Sequence, residues 1–432
     1  MFGLAEVSAV AATLDVAVQT ADGTLAAGRQ VTIDNPGSGF SSNAVSNSSG
    51  RARFVGVPAG QGYRVLVDQK AQFANIDLRS NERRALRVRL SDAAVEDVLV
   101  TGQRESLGVN VLDAEVRAGL TQAELQALPV EARDLTRALI RLPNVVPSTG
   151  FFPEAPPVSI NGANGLYTQY LVDGLDNNEN FLGGPKFPIS VGSIADVSVL
   201  AASYSAQYGR TGNGVINVTS RSGTNDWQGE AFYLTRPGAG IDASSPFAQR
   251  DLSGNAVRDG FRRDQLGFSI GGPIVTDRTF VFANVELTED AKDNLLNAPE
   301  LGALGTVPGE NRTLLGTVKL DHTLNDDWRL ALRVNRGDVD IERQGGGLDG
   351  GVTFPSAGSV QRRNSLLTAL SATYDRGNFT SETSLQFSRF DWDYAQPFTT
   401  LSPQVAVELP SGLTGGVLGH PGFAFDNNER SW

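Results

Sequence analysis

Any chemistry in this 432-residue chain has to be done without cysteine and with only two histidines, His322 and His420. No thiolate is available as nucleophile or metal ligand, and neither imidazole stands in HExxH-type spacing. No nucleophile–base pair can be assembled, so the chain reads as a non-enzyme with no cofactor. Carboxylates remain. Asp173, Asp176 and Glu179 are close enough in sequence to suggest calcium, but EF-hand spacing and its glycine are missing; they read as a solvated loop. Asp391 and Asp393 also read as solvated loop residues, and Trp392, Tyr394 and Phe398 near them could stack on a sugar or a peptide. The densest signal is Gly209-Arg210-Thr211-Gly212-Asn213-Gly214. An arginine among glycines invites a phosphate loop. Against that, no Lys-Ser/Thr follows Gly214, and Val215 to Thr219 is β-branched, which makes a strand rather than a phosphate-holding helix N-terminus. Gly209, Gly212 and Gly214 are then expected to allow positive φ in a tight strand-to-strand turn, with Arg210 pairing to a nearby acid.

The elements that position this turn are legible on both sides of it. Ile194, Val197 and Val199 start a strand before it, and Val215 to Thr219 form one after it. Further back, Thr121 and Glu124 form a capping box ahead of Leu125 and Leu128, and Pro129 ends that helix. A second helix is expected over Glu131 to Leu142, with Leu135, Leu139 and Leu142 on one face and Pro143 as its stop. Residues 12–91 read as a small β-sandwich. Leu14, Val16 and Val18 alternate, Ala21-Asp22-Gly23 turns the chain, and Val31-Thr32-Ile33 is expected to pair back.

Composition sets the outer bounds. A formal charge of −12 argues against a nucleic-acid partner. No apolar run reaches the ~18 residues of a membrane helix, which leaves membrane strands open because they hide their apolar half by alternation. Met1 to Glu6 lacks a basic n-region, which reads as a truncated or misplaced start rather than a cytoplasmic protein.

Tyr208-Gly209-Arg210 through Gly214-Val215-Ile216-Asn217-Val218 to Ser222-Gly223-Thr224-Asn225 resembles the end of the plug domain of TonB-dependent outer-membrane receptors. Val158-Ser159-Ile160-Asn161-Gly162 and Tyr170-Leu171-Val172-Asp173-Gly174 resemble that family's paired plug strands. Residues 12–91 are similar to a carboxypeptidase-regulatory-like domain. Gly267 to Ile274 with Arg278 to Phe282 resembles strands of Oar-like receptors, which carry such a domain. Glu96, Asp97, Val98, Leu99, Val100 and Thr101 lie where the family has its TonB box. An extended strand there could pair with a partner's sheet edge.

What the resemblance implies is a mainly β chain: an N-terminal β-sandwich, an α+β plug domain, then the first strands of an antiparallel transmembrane β-barrel, truncated. Residues 1–11 would be unstructured, 92–104 a linker, 105–225 the plug and 226–432 the barrel part. The implied function is uptake of an extracellular ligand across the outer membrane, driven by TonB, with the N-terminal domain in the periplasm and lipid around the barrel. A non-transporting barrel for adhesion or envelope organisation, or a soluble β-protein, is the alternative. The ligand is not readable.

Strand arithmetic supports the barrel reading independently. Candidate strands fall near 227–236, 262–273, 279–289, 311–322, 327–336, 361–374 and 378–390, and Glu429-Arg430-Ser431-Trp432 reads as the opening of an eighth. Short joints at 274–278, 323–326 and 374–377 alternate with long ones at 237–261, 290–310, 337–360 and from 391 onward, the outer-membrane layout. Seven strands fall short of an even-numbered, plugged barrel of about 22, so the chain reads as a fragment. Leu266, Phe268, Leu330, Leu332, Leu385 and Phe387 are expected to face outward, and Arg329, Arg333 and Gln386 inward.

Overall fold

A computed structural model describes residues 11–20, 22–35, 40–47, 50–58, 60–78, 83–90, 116–128, 130–148, 158–204, 208–209, 211–238, 262–276, 278–325, 327–343, 351–376, 379–395, 402–420 and 425–432. The segment Glu96 to Thr101, Arg210 and Phe398 therefore lie outside the described residues. No helix among the described residues is long and apolar enough to cross a membrane.

The first strands are β1 (Ala11–Gln19), β2 (Gln30–Asn35), β3 (Phe40–Val45), β4 (Arg51–Pro58), β5 (Gly60–Val67), β6 (Lys70–Leu78) and β7 (Arg83–Arg89). They form two sheets, in the orders β4-β1-β7 and β3-β2-β5-β6. Leu14, Val16 and Val18 of one sheet and Val31, Ile33 and Val65 of the other share a single dry core. The expected β1–β2 hairpin does not form: β1 pairs antiparallel with β4 and parallel with β7, while β2 joins β3 and β5. Each strand has one apolar face, and only placement in opposing sheets lets those faces bury each other.

A middle unit follows, comprising β8 (Val116–Thr121), α1 (Gln122–Ala127), α2 (Leu135–Leu139), β9 (Val145–Pro147), β10 (Val158–Ile160), β11 (Thr168–Val172), β12 (Leu175–Asp176), β13 (Ile194–Ala202) and β14 (Gly214–Ser220). The main sheet runs β12-β11-β14-β13-β8. Thr121 and Glu124 make the expected reciprocal capping box on α1. The second helix is shorter than its apolar spacing suggests. Ala132 and Arg133 take positive φ, and Asp134 caps the helix anew by accepting from the Thr136 N–H, so it spans only Leu135–Leu139. β10 pairs with β9 rather than with β11, whose partners are β12 and β14. Ile160 reaches the same core as Ile194 and Ile216 from that separate hairpin.

β13 and β14 do pair antiparallel, but residues 203–213 join them, so the glycine stretch is no tight turn. Gly209 and Gly212 keep ordinary φ; Gly214 alone of the three is positive, at 156°. Its constraint is space. A Cβ there would sit 2.6 Å from Ile160 Cδ1 and 2.8 Å from the Leu200 carbonyl.

The third region is one long sheet. It contains β15 (Gln228–Arg236), β16 (Arg262–Val275), β17 (Thr279–Ala298), β18 (Ala303–Thr323), β19 (Trp328–Arg343), β20 (Ser359–Arg376) and β21 (Phe379–Ala395). Two further strands, β22 (Gln404–Glu408) and β23 (Thr414–Gly419), form a separate hairpin, and β24 (Phe425–Ser431) then completes the sheet beside β21. The eight strands form an open antiparallel meander in chain order, the eighth being the one expected near the C-terminal end. β17 and β18 pair without interruption to Ala298 and Ala303, so 290–310 is an extended hairpin and not a loop. β19 and β20 likewise run on to Arg343 and from Ser359, and β21 carries Asp391 to Tyr394 within the strand. In the β19 and β21 extensions the apolar residues move to the inward register, as Val339, Ile341, Trp392 and Tyr394, so the outward apolar stripe ends there while ladder hydrogen bonding continues.

Candidate functional site

Alternation fixes which face of the sheet meets what. Leu266, Phe268, Leu332, Leu385 and Phe387 are exposed, as a lipid-facing set should be, and the half-buried Leu330 shares the register of Leu332. The opposite face is polar and buried: Gln265, Ser269, Glu286, Thr317, Lys319 and Arg333 lie within it. The middle unit sits against this face and touches it mainly through charges and hydrogen bonds.

Three contact groups hold it there. In the first, Asp173 at the β11–β12 turn accepts from Arg333 Nη1 at 2.7 Å, with Lys319 Nζ 3.9 Å away. The Ser220 N–H and hydroxyl donate to the same carboxylate at 2.7 and 2.6 Å. Burial pushes the Asp173 pKa up, but the two cations and the Ser220 bonds outweigh it and hold the group down at about 2. In the second, Ser190 donates to Glu286 at 2.7 Å and Gln265 donates to the other carboxylate oxygen at 2.8 Å. Gln265 also donates to the Ala132 carbonyl at 3.0 Å, while Arg133 lies 3.9 Å from Glu286 and stacks 4.2 Å over the Phe232 ring. Ala132 and Arg133 are the residues at positive φ, so the break that shortens α2 is also a wall contact.

In the third, Lys186 is only 3% exposed and reaches Ser388 and Ser431 at 3.3 Å and Glu429 at 3.7 Å. Glu429 accepts in turn from the N–H and side-chain amide of Asn180, and Gln386 donates to the Asp176 carbonyl at 2.7 Å. An apolar peg also accompanies these groups: Phe187, fully buried against Leu315 and Leu367.

The inward placement of Arg333 and Gln386 agrees with the sequence expectation, and Arg329 shares the register of Arg333. The solvated-loop reading of Asp173 and Glu179 does not hold. Asp173 is the ion-paired group just described. Glu179, 3% exposed, accepts from the backbone N–H groups of Phe181, Leu182 and Gly184 and closes its own loop. No group of three or more potential metal ligands occurs among the described residues. Arg210 lies outside the described residues; among those described, Asp173, Lys186 and Ser190 make polar contacts with the wall. Asp391, Trp392 and Tyr394 are strand residues, and Trp392 and Tyr394 point inward toward Phe181 and Phe425. Charged residues at inward register positions, Glu286, Lys319 and Arg333, were the available signal for this interface.

Comparison with known proteins fits this geometry. Residues 113–216 match the TonB-dependent Receptor Plug Domain, and 219–301 match an outer membrane beta barrel domain. The chain is 24% identical over 410 residues to the TonB-dependent transporter Oar of Myxococcus xanthus, covering 86% of this chain and 38% of that protein. Its fold is similar to that of the outer membrane transporter YddB from Escherichia coli, with a TM-score of 0.53, 15% identity, and coverage of 71% of this chain and 43% of the other. The chain thus spans less than half the length of the relatives it matches. A plug unit held by polar contacts against the inner face of an outer-membrane barrel wall marks this chain as a member of the TonB-dependent outer-membrane receptors.

Proposed function

We propose that the protein takes up a ligand from outside the cell, using force that TonB applies to the segment Glu96 to Thr101. The observation that carries this reading is the character of the plug–wall contact. Asp173 with Arg333 and Lys319, Ser190 with Glu286, and Lys186 with Glu429 exchange readily for water, whereas a large apolar interface would not. A plug joined this way seals at rest and yields when pulled. Residues 12–91 act as a carboxypeptidase-regulatory-like module on the periplasmic side, and residues 92–104 link it to the plug.

The test is deletion of Glu96 to Gly102 in the receptor expressed in its native outer membrane. Depletion of solutes from a yeast-extract medium is followed by mass spectrometry. At least one solute should be depleted by the wild type and spared by both the deletion and a receptor-null strain. Identical depletion by wild type and deletion, with a cell-adhesion difference between wild type and null strain that the deletion does not share, would replace uptake with an adhesive role.

A further inference from the structure

The lumen-facing side of a barrel wall is normally polar, yet where β21 and β24 approach their long connections it carries rings. Tyr394 stacks on Phe425 at 5.5 Å with 15° between planes, and Trp392 meets Phe425 edge-on at 5.1 Å. The plug contributes Phe181, 4.9 Å from Phe425 and 6.0 Å from Trp392. Arg363 lies 4.2 Å over the Trp392 ring.

These rings could simply fasten the plug loop to the wall. Two observations go beyond that. Trp392 is 3% exposed, yet its indole N–H has no hydrogen-bond partner, a costly state for a buried donor. Phe181, edge-on to the Trp392 ring at 6.0 Å, is itself half exposed at 50%. It stands on the loop that Glu179 closes internally, so the loop can shift as a unit without losing its own backbone bonds.

The surrounding chemistry narrows what would fit. Asn427 donates to Glu429 at 3.0 Å beside the rings, and Asn180 donates to the same carboxylate. Apolar ring faces interleaved with amide, carboxylate and guanidinium groups suit a molecule that is apolar on its flat faces and carries hydroxyls at its rim. An aryl ligand would use the rings and leave the polar rim unanswered; an extended peptide would call for unpaired backbone groups, and β21 and β24 already pair with each other here.

We propose that this cluster is a carbohydrate subsite, in which a pyranose takes the place of the Phe181 ring and accepts the Trp392 indole N–H. The proposal rests on the uptake reading and names its ligand class. Displacing Phe181 also disturbs the Asn180–Glu429 bonds, and through Glu429 the Lys186 anchor, so occupancy is felt by the plug seat.

The receptor, purified in detergent from outer membranes, is screened on a printed array of bacterial and plant glycans, with plug protease resistance as the check on folding. At least one pyranose glycan should be retained. Trp392→Phe, which keeps a ring and removes the N–H, should weaken that binding at least fivefold, and Tyr394→Ala at least tenfold. Phe181→Ala should strengthen it, because the competing ring is gone; a ring that serves only as fastening predicts no gain. Absence of glycan binding in both wild type and Phe181→Ala, or equal affinity in wild type and Trp392→Phe, overturns the sugar assignment. If glycan binding fails while deletion of Glu96 to Gly102 still stops solute depletion, the subsite is wrong and the uptake reading stands.

Discussion

The plug has two kinds of surface, and they are built from opposite materials. Its interior is apolar: Ile160, Ile194, Val197 and Ile216 are all at most 1% exposed and pack with Leu139 and Val158. Its outer contact with the wall is made of carboxylates, cations, hydroxyls and amides, with Phe187 as the main apolar peg. Apolar contacts are non-directional and resist separation in water. Charged and hydrogen-bonded pairs lose little net free energy when water replaces a partner. The difference separates what must stay folded from what must let go. It also explains why the wall's inner face holds Glu286, Lys319 and Arg333 at register positions where the outer face holds leucine and valine.

The largest effect should come from the interior. Ile216→Ala removes a fully buried side chain from the plug core and should cost about 2–5 kcal/mol. The measurement is urea-dependent proteolysis of the plug in the membrane-embedded receptor. A loss under about 1 kcal/mol would mean that the wall, not the core, holds the plug together.

A middle-sized effect should come from the first wall contact. Arg333→Ala leaves Asp173 with the Ser220 bonds and the more distant Lys319 and should weaken seating by about 1–3 kcal/mol, since the carboxylate is partly solvated. Sensitivity to an antibiotic too large for ordinary porins should rise, while plug proteolysis stays near wild type. The same contact has a defined acid limit. Asp173 titrates at about 2 when folded, below its ordinary 3.8, so its contribution is complete above pH 4 and is lost as the pH falls toward 2. That contribution is at most on the order of 2 kcal/mol. Plug amide exchange should therefore accelerate between pH 4 and pH 2 by more in the wild type than in Asp173→Asn. Equal pH profiles would remove Asp173 from the latch.

The smallest effect belongs to neither surface. Thr121→Ala deletes one half of the α1 capping box and should cost about 1 kcal/mol, confined to amide exchange within Gln122–Ala127. Any change in antibiotic sensitivity would show that α1 is coupled to the wall more tightly than the Gln126–Glu230 bond suggests.

What the sequence determined by itself is what depends on local rules. The α1 cap at Thr121 and Glu124, the alternation that turns Leu266 and Phe268 outward and Arg333 inward, and the order of the wall strands were all legible, because each follows from neighbours within a few residues. Only the tertiary structure decided the rest. β2 left β1 for the opposing sheet, β10 chose β9, and Asp173 became an ion-paired anchor and Glu179 a buried loop closure where the spacing suggested solvated acids. Whether a carboxylate is solvated or anchored depends on which distant groups face it. Arg333 is 160 residues from Asp173 in the chain, and no local pattern encodes that approach. The strand extensions past residue 290 were hidden for a related reason: the outward apolar stripe that marks the wall strands ends there, while the backbone ladder, which side-chain pattern does not report, carries on.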